Sequence, residues 1–353
     1  MIYYKEIIEE NTRKAIAVAK SAENLWPHIK SHKMREMVLL QMTMGIKRFK
    51  CATIAEGEML GMLKAPRVIV AYPLIGPNIK RFAKLVKTYP DTEFFAIGDD
   101  LKQLKLLGNC AVENGEFYQV LVDMNLGMNR TGVPCAQSAA FYEKASPIPG
   151  IQLRGFHCYD GHHGIPDLEE RQSAVDAVHE KIRAVKEELA AKNLPCEILV
   201  MGGTPSFPCH ARHEGVYLSP GTLFLSDYGY CSKFKDMPFV PGALVLTRVV
   251  SHPEKGYFTL DLGHKGIAAD PPGSRGKIVG LDHVVEMGQS EEHWVFRMEE
   301  GHEGEVPAIG TELYVIPTHI CPTTALYPAV LVAEHGEIVD TWSVDARNRK
   351  LEI

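Results

Sequence analysis

Two stretches of this chain place cationic side chains where they could do covalent and electrostatic chemistry. Trp26-Pro27-His28-Ile29-Lys30-Ser31-His32-Lys33 puts a lysine at the end of a short apolar strand and beside a histidine. Further along, Asp123-Met124-Asn125-Leu126-Gly127-Met128-Asn129-Arg130-Thr131-Gly132 puts an arginine in a Gly-rich turn after another strand. A desolvated lysine loses proton affinity and becomes nucleophilic, so it can hold an aldehyde as a Schiff base. A guanidinium beside it can steer the charge of such a group. On residue type alone, Lys30 reads first as a surface lysine of a basic loop, and Arg130 as a loop arginine.

Three further groups have chemical potential. His157-Cys158-Tyr159-Asp160-Gly161-His162-His163 ends a strand, and a neutral histidine in such a place can move a proton. Gly202-Gly203-Thr204-Pro205-Ser206 and Pro220-Gly221-Thr222 are Gly-containing turns whose backbone N–H groups could cradle a phosphate. Alone, each turn is a weak signal. Pro317-Thr318-His319-Ile320-Cys321-Pro322-Thr323 holds a His and a Cys two apart, which on a strand would face the same way. Both are good Zn2+ ligands, although spacing alone makes His-x-Cys a poor motif that packing or chance usually explains.

These groups need elements to position them. Strand-like runs read as the stretch ending at Lys30, then 49–54, 67–72, 92–97, 118–123, 153–159, 197–201 and 215–219. Several are near-continuous apolar runs, the pattern of strands buried on both faces of a parallel sheet. Helical stretches lie between them, among them 6–22, 33–44 and 167–192. Eight strands alternating with helices predict an α/β chain built on a (β/α)8 TIM barrel, with tandem doubly wound sheets as the alternative. Lys30 and the other strand-end residues would then lie at the C-terminal mouth, and the two Gly turns would follow strands seven and eight, where barrels bind phosphate. After Asp236 the texture changes. Strands at 243–250, 256–262, 294–298, 312–316 and 329–333 follow with few helices, which predicts a barrel domain over 1–236 and a C-terminal all-β domain over 237–353.

Composition limits the function classes. The chain has 353 residues, 45% hydrophobic and 23% charged, with a formal charge of -6, an ordinary globular profile. Its mild acidity and scattered Lys and Arg give no reason to expect nucleic acid or a membrane as partner. No apolar run reaches membrane-span length, and Met1–Glu10 reads as acidic and helical, not as a signal peptide. Eight cysteines without a CxxC pair read as reduced thiols of a cytoplasmic protein.

The segment 27–33, the 123–132 turn and the 317–323 segment together resemble the D-threonine aldolase and D-serine dehydratase branch of the alanine-racemase-like pyridoxal 5'-phosphate (PLP) enzymes. The resemblance covers nearly the whole chain. It implies Lys30, not Lys33, as the lysine that carries PLP. Arg130 would face the cofactor's phenolic oxygen, Tyr159 would contact the cofactor, and Gly203, Thr204, Gly221 and Thr222 would bind its phosphate. It also implies His319 and Cys321 as ligands of a divalent metal, with zinc favoured by the thiolate and Mn2+ or Mg2+ as alternatives. His162 is preferred over His163 as the proton-transfer residue. The family usually has Arg at Trp26, Thr at Ser31 and Arg at Ser219. Segments 261–265 and 289–293 also match, the first as architecture and the second near the metal. The resemblance implies a homodimeric lyase for β-hydroxy D-amino acids. Aldolase cleavage is the leading activity and dehydration of D-serine the second. A racemase or a PLP carrier is less consistent with the metal pair and the second domain.

Overall fold

The computed structural model describes residues 1–270 and 272–353. It divides into two compact units. One comprises Arg13–Gly221 with Asp345–Ile353, the other Met1–Thr12 with Thr222–Val344. The division thus falls at Gly221/Thr222, earlier than the composition change after Asp236, and the first helix, Lys5–Val18, contributes to both.

In the first unit, seven strands pair in chain order, all parallel: Arg48–Cys51, Arg67–Val70, Glu93–Gly98, Tyr118–Asn125, Ile151–Cys158, Ile198–Met201 and Tyr217–Leu218. The eighth staves the gap. Leu25 bridges Leu218 and His28 bridges Lys50, both in parallel. The Trp26 N–H donates to the Leu218 carbonyl and the Lys50 N–H to the Pro27 carbonyl, each at 2.7 Å. The predicted first strand is therefore present as a four-residue stretch that closes the barrel, and Pro27 keeps it from forming a longer ladder. The predicted TIM barrel is the observed fold.

The barrel interior is apolar where the strand sequences are. Trp26, Ile69, Phe95, Ile97, Leu121, Ile198 and Val200 form one buried cluster. Trp26 stands edge-on to Phe95 and Tyr217, with ring centroids 5.6 and 5.4 Å away. Its indole N–H donates to the Phe49 carbonyl at 2.7 Å, which satisfies the polar tip of a wholly buried ring. Trp26 thus acts as a packing residue. Helices follow the strands, the longest being Leu168–Ala191, capped by the Asp167 carboxylate on the N–H groups of Glu169 and Glu170.

The second unit is a mixed sheet ordered Val284–Gln289, Trp294–Met298, Tyr257–Leu260, Ala243–Ser251, Ile2–Tyr4, Ala329–Glu334 and Glu337–Ser343. Gly276–Ile278 pairs Glu312–Pro317, which pairs Ala243–Ser251. Two expectations fail in detail. The first residues are not helical: Ile2–Tyr4 is a strand, antiparallel to Ala243–Ser251 and parallel to Ala329–Glu334, and the helix starts at Lys5. Its Ile-Tyr-Tyr run fits a pleated, half-buried position better than a helix start. The His319–Cys321 pair is not on a strand either. The strand ends at Pro317, His319 takes the N-cap position, and Ile320–Leu326 is a short helix. Pro322 falls in that helix's first turn, where its missing N–H costs nothing.

Among the described residues no helix is long and apolar enough to cross a membrane, and the eight cysteines carry no disulfide.

Candidate active site

The Lys30 side chain leaves the barrel from a single 3-10 turn, Ile29–Ser31. His28 caps that turn: its Nδ1 accepts the Lys30 backbone N–H at 3.3 Å. Burial, then the nearby Lys30 and Lys50 charges, pushes the His28 imidazole well below the usual histidine range, so the cap is neutral. Lys33 is held elsewhere. It forms an ion pair with the buried Glu56, whose other oxygen accepts the Ala52 N–H at 2.7 Å. The two lysines of the segment therefore have different surroundings, and only Lys30 faces Tyr159.

Tyr159 is the centre of the site. Lys30 Nζ lies 5.7 Å from its ring centroid and the Arg130 guanidinium lies 4.5 Å from it. Lys50, which sequence reasoning passed over, also points there, with Nζ 5.7 Å from the same centroid. Three cations around one phenol ring make a strongly electropositive pocket. Gly203 and Gly221 bring the two turns close. A Cβ at Gly203 would meet the Tyr159 ring at 2.9 Å, and one at Gly221 would meet the His28 carbonyl at 3.0 Å. A larger residue at either position would have to push the ring or the carbonyl aside. Thr204 Oγ1 accepts the Gly221 N–H at 3.3 Å and ties the turns together. Lys30, Arg130, Tyr159, Gly203, Thr204 and Gly221 thus come together in one unit. Thr222, next in the chain, has its hydroxyl 3.2 Å from the Cys321 Sγ within the second unit.

Two buried carboxylates organise the barrel mouth. Asp123 accepts from His157 Nδ1 and from the Thr131 hydroxyl, both at 2.7 Å, and His157 Nε2 is 3.4 Å from Lys50 Nζ. Asp160 accepts from the Ser206 hydroxyl at 2.6 Å, His210 Nε2 at 2.8 Å and His163 Nδ1 at 3.3 Å. Burial alone would raise both carboxylates. These hydrogen bonds and the adjoining charges outweigh it and hold both below the ordinary aspartate range. His163 is thereby committed to Asp160. His162 is exposed, lies tilted against His163 with ring centroids 4.0 Å apart, and faces Gly127 of the 123–132 turn.

In the second unit, His319 Nδ1 hydrogen bonds Asp270 Oδ2 at 2.5 Å. The imidazole also bonds to Cys321. Among the described residues no three His, Cys, Asp or Glu side chains gather to hold an ion. A metal here would have His319 and Cys321 as its protein ligands and open positions for water or substrate, a set that fits a borderline-soft cation such as zinc. Asp270, through its hydrogen bond, orients the His319 ring. Asp261 accepts from the Thr247 hydroxyl and the Arg248 N–H, both at 2.7 Å, which makes it architectural.

Sequence reasoning missed Lys50, Asp123, His157, Asp160 and Asp270 as partners in these clusters. Lys50 had one signal: a lysine in the middle of the otherwise apolar Phe49–Ile54 run.

Comparison with known proteins follows the same division. Residues 5–228 match the family described as alanine racemase, N-terminal domain. Residues 242–333 match a putative serine dehydratase domain. D-threonine aldolase from Arthrobacter sp. is 27% identical over 333 residues, covering 92% of this chain and 85% of that protein. The solved D-threonine aldolase from Filomicrobium marinum superposes with a TM-score of 0.88 at 24% identity, covering 98% of this chain and 94% of the other. A cysteine-to-alanine variant of D-threo-3-hydroxyaspartate dehydratase in the metal-free form superposes with a TM-score of 0.83 at 20% identity, covering 97% and 96%.

Proposed function

Because the chain belongs to the alanine racemase N-terminal domain family, we propose that it is a PLP- and metal-dependent lyase for β-hydroxy D-amino acids, cleaving the Cα–Cβ bond to give glycine and an aldehyde. The observation that carries the reading is the convergence of Lys30 and Arg130 on the Tyr159 ring beside the two glycine turns. The similarity to D-threonine aldolase along 92% of the chain supports the choice of reaction.

The residues present fit PLP. Lys30 would supply the amine for its aldehyde, Arg130 a cation for its phenolic oxygen, and Gly203, Thr204, Gly221 and Thr222 the cradle for its phosphate. When bound, that cofactor supplies an electron sink for charge developing at the substrate's Cα. His319 and Cys321 would hold a divalent cation, whose contribution is Lewis-acid polarisation of the substrate hydroxyl. The protein's own part is to orient and to move protons. Arg130 lies over the Tyr159 ring, and Asp123 through His157 keeps the surrounding side chains in one arrangement. His162 is the exposed base for the substrate hydroxyl proton, since His163 is engaged by Asp160. We further propose a cytoplasmic homodimer.

One observation favours a second reading, dehydration to a keto acid and ammonia. Cys321 stands in the segment that matches the putative serine dehydratase domain, and a structural neighbour is D-threo-3-hydroxyaspartate dehydratase. The deciding experiment supplies purified protein with PLP and Zn2+ or Mn2+ and feeds it D-threonine. Glycine with acetaldehyde establishes the aldolase. Ammonia with 2-oxobutanoate replaces it by the dehydratase, and neither product removes the β-hydroxy D-amino acid as substrate class.

A further inference from the structure

The His319–Cys321 pair straddles the junction between a strand and a helix, where no regular structure sets the angle between the two side chains. Residues two apart face the same way on a strand and diverge on a helix. The strand ends at Pro317, His319 is extended with φ −134° and ψ 101°, and the helix begins at Ile320. The mutual direction of imidazole and thiol therefore depends on the torsions either side of one peptide group, formed by the His319 carbonyl and the Ile320 N–H. Both polar ends of that peptide are held by buried side chains. Asp227 Oδ2 accepts the Ile320 N–H at 3.1 Å, and the Thr323 hydroxyl donates to the His319 carbonyl at 2.7 Å. Asp227 is 1% exposed and Thr323 0%. Each holder is itself fixed. Asp227 Oδ1 accepts the Tyr230 N–H at 2.9 Å, and Thr323 Oγ1 accepts the Ala268 N–H at 3.1 Å. The Gly229 N–H reaches the Thr318 carbonyl at 3.1 Å, which seats the Tyr228–Lys233 helix against this segment. Each bond alone is ordinary. His319 makes no side-chain cap bond, so Asp227 satisfies a helix start, and a helical threonine commonly bonds four residues back. Their meeting on one peptide plane is not ordinary.

We propose that Asp227 and Thr323 are positioning residues for the metal pair: they pin the His319–Ile320 peptide at both polar ends and so set the angle at which the His319 imidazole and the Cys321 thiol are offered to one ion. The proposal rests on the reading of His319 and Cys321 as metal ligands. A planar peptide held at its N–H and at its carbonyl resists rotation, and the torsions on either side of it are fixed with it. A site with two protein ligands gains most from this, because a mis-set pair offers an ion one ligand at a time. Asp270 acts at a different level. It orients the His319 ring, whereas Asp227 and Thr323 orient the backbone from which both side chains leave.

The test reads metal affinity and ligand geometry, not turnover. Zinc affinity of the whole chain loaded with PLP is measured by competition with a chromophoric chelator. The thiolate-to-metal absorption band is then recorded with Co2+ in place of zinc. Asp227→Asn keeps the shape but offers one acceptor oxygen to two N–H groups. Thr323→Val keeps the shape and removes the hydroxyl with no change of charge. Both should weaken zinc binding about tenfold or more and shift the Co2+ band. Either variant within about twofold of wild type overturns the proposal. Weaker binding with the Co2+ band in its wild-type place also overturns it, since that is the result of bonds that only stabilise the fold. If Asp227→Asn does not fold, Thr323→Val decides alone. Zinc held as tightly by Cys321→Ala as by wild type removes the metal pair itself and the proposal with it, an outcome distinct from the others.

Discussion

The two candidate centres are built on opposite plans. In the barrel unit, side chains from the first-strand segment and the strands Arg48–Cys51, Tyr118–Asn125 and Ile151–Cys158 converge, and each organising carboxylate is held at least twice. Asp123 has His157 and Thr131; Asp160 has Ser206, His210 and His163. In the β unit, the pair comes from one helix start. His319 has 36% of its side chain exposed, and Asp270 steadies it from a half-exposed position. Many weak constraints in a dry site give a fixed geometry that is lost as a whole. A histidine and a cysteine at one helix start with one outer carboxylate make a looser group, and an ion held there would be lost and regained more readily.

Lys30→Ala should show the largest effect. The substitution removes the amine to which the proposed reading gives the covalent role, so turnover of any β-hydroxy D-amino acid should fall more than about a thousandfold. Borohydride reduction in the presence of PLP should then label the wild type alone. Retained activity would mean that the barrel centre is not covalent at all. Cys321→Ala should come next: activity should fall with the bound metal, measured by elemental analysis, while the cofactor absorbance stays. Loss of both together would contradict the picture of two separately built centres. Asp270→Asn should be milder, weakening metal affinity by about 10–100-fold and being rescued by added metal. If it behaves like Cys321→Ala and resists rescue, Asp270 is itself a ligand.

This contrast also explains what could be read from the chain. The barrel strands were legible because strands buried on both faces must be continuous apolar runs, and their order follows once the sheet is parallel. Lys30 and Arg130 were singled out by the resemblance of segments 27–33 and 123–132 to a family's motifs, since on residue type alone both read as surface residues. Lys50 was not, since a lysine within an apolar run normally marks a solvent-facing position and only the closed barrel turns it inward. The Asp123–His157 bond joins residues 34 apart and the Asp160–His210 bond residues 50 apart, and nothing local encodes either. Ile2–Tyr4 was read with the helix after it because its strand partners lie at Ala243–Ser251 and Ala329–Glu334. The His319–Cys321 pair was singled out by its resemblance to a family's metal pair and read as lying on a strand; its helix was missed, because the strand ends at Pro317 and Pro322 is tolerated in the first turn that follows.

The smallest effect expected separates the two plans by stability. Asp160 is buried and bonded to three donors, and those bonds, working against burial, hold its carboxyl below the ordinary aspartate range. A group whose folded pKa is depressed contributes stability above its unfolded pKa and loses that contribution as pH falls through the folded value. In that window the unfolded chain binds the proton that the folded one excludes. Protein free of cofactor and metal should therefore lose unfolding free energy below about pH 4, at up to 1.4 kcal/mol per pH unit from this group. Asp160→Asn removes the charge and should flatten that limb. At pH 7 it should cost about 1–3 kcal/mol, because a charged hydrogen-bond acceptor is lost from a buried site. Asp270→Asn touches a half-exposed carboxylate in the other unit, whose histidine partner can turn to water, and should reproduce the wild-type curve by urea unfolding at both pH values. If Asp270→Asn bends the acid limb as much as Asp160→Asn, the β-unit pair is as rigidly held as the barrel site, and the difference in plan is one of residue number alone.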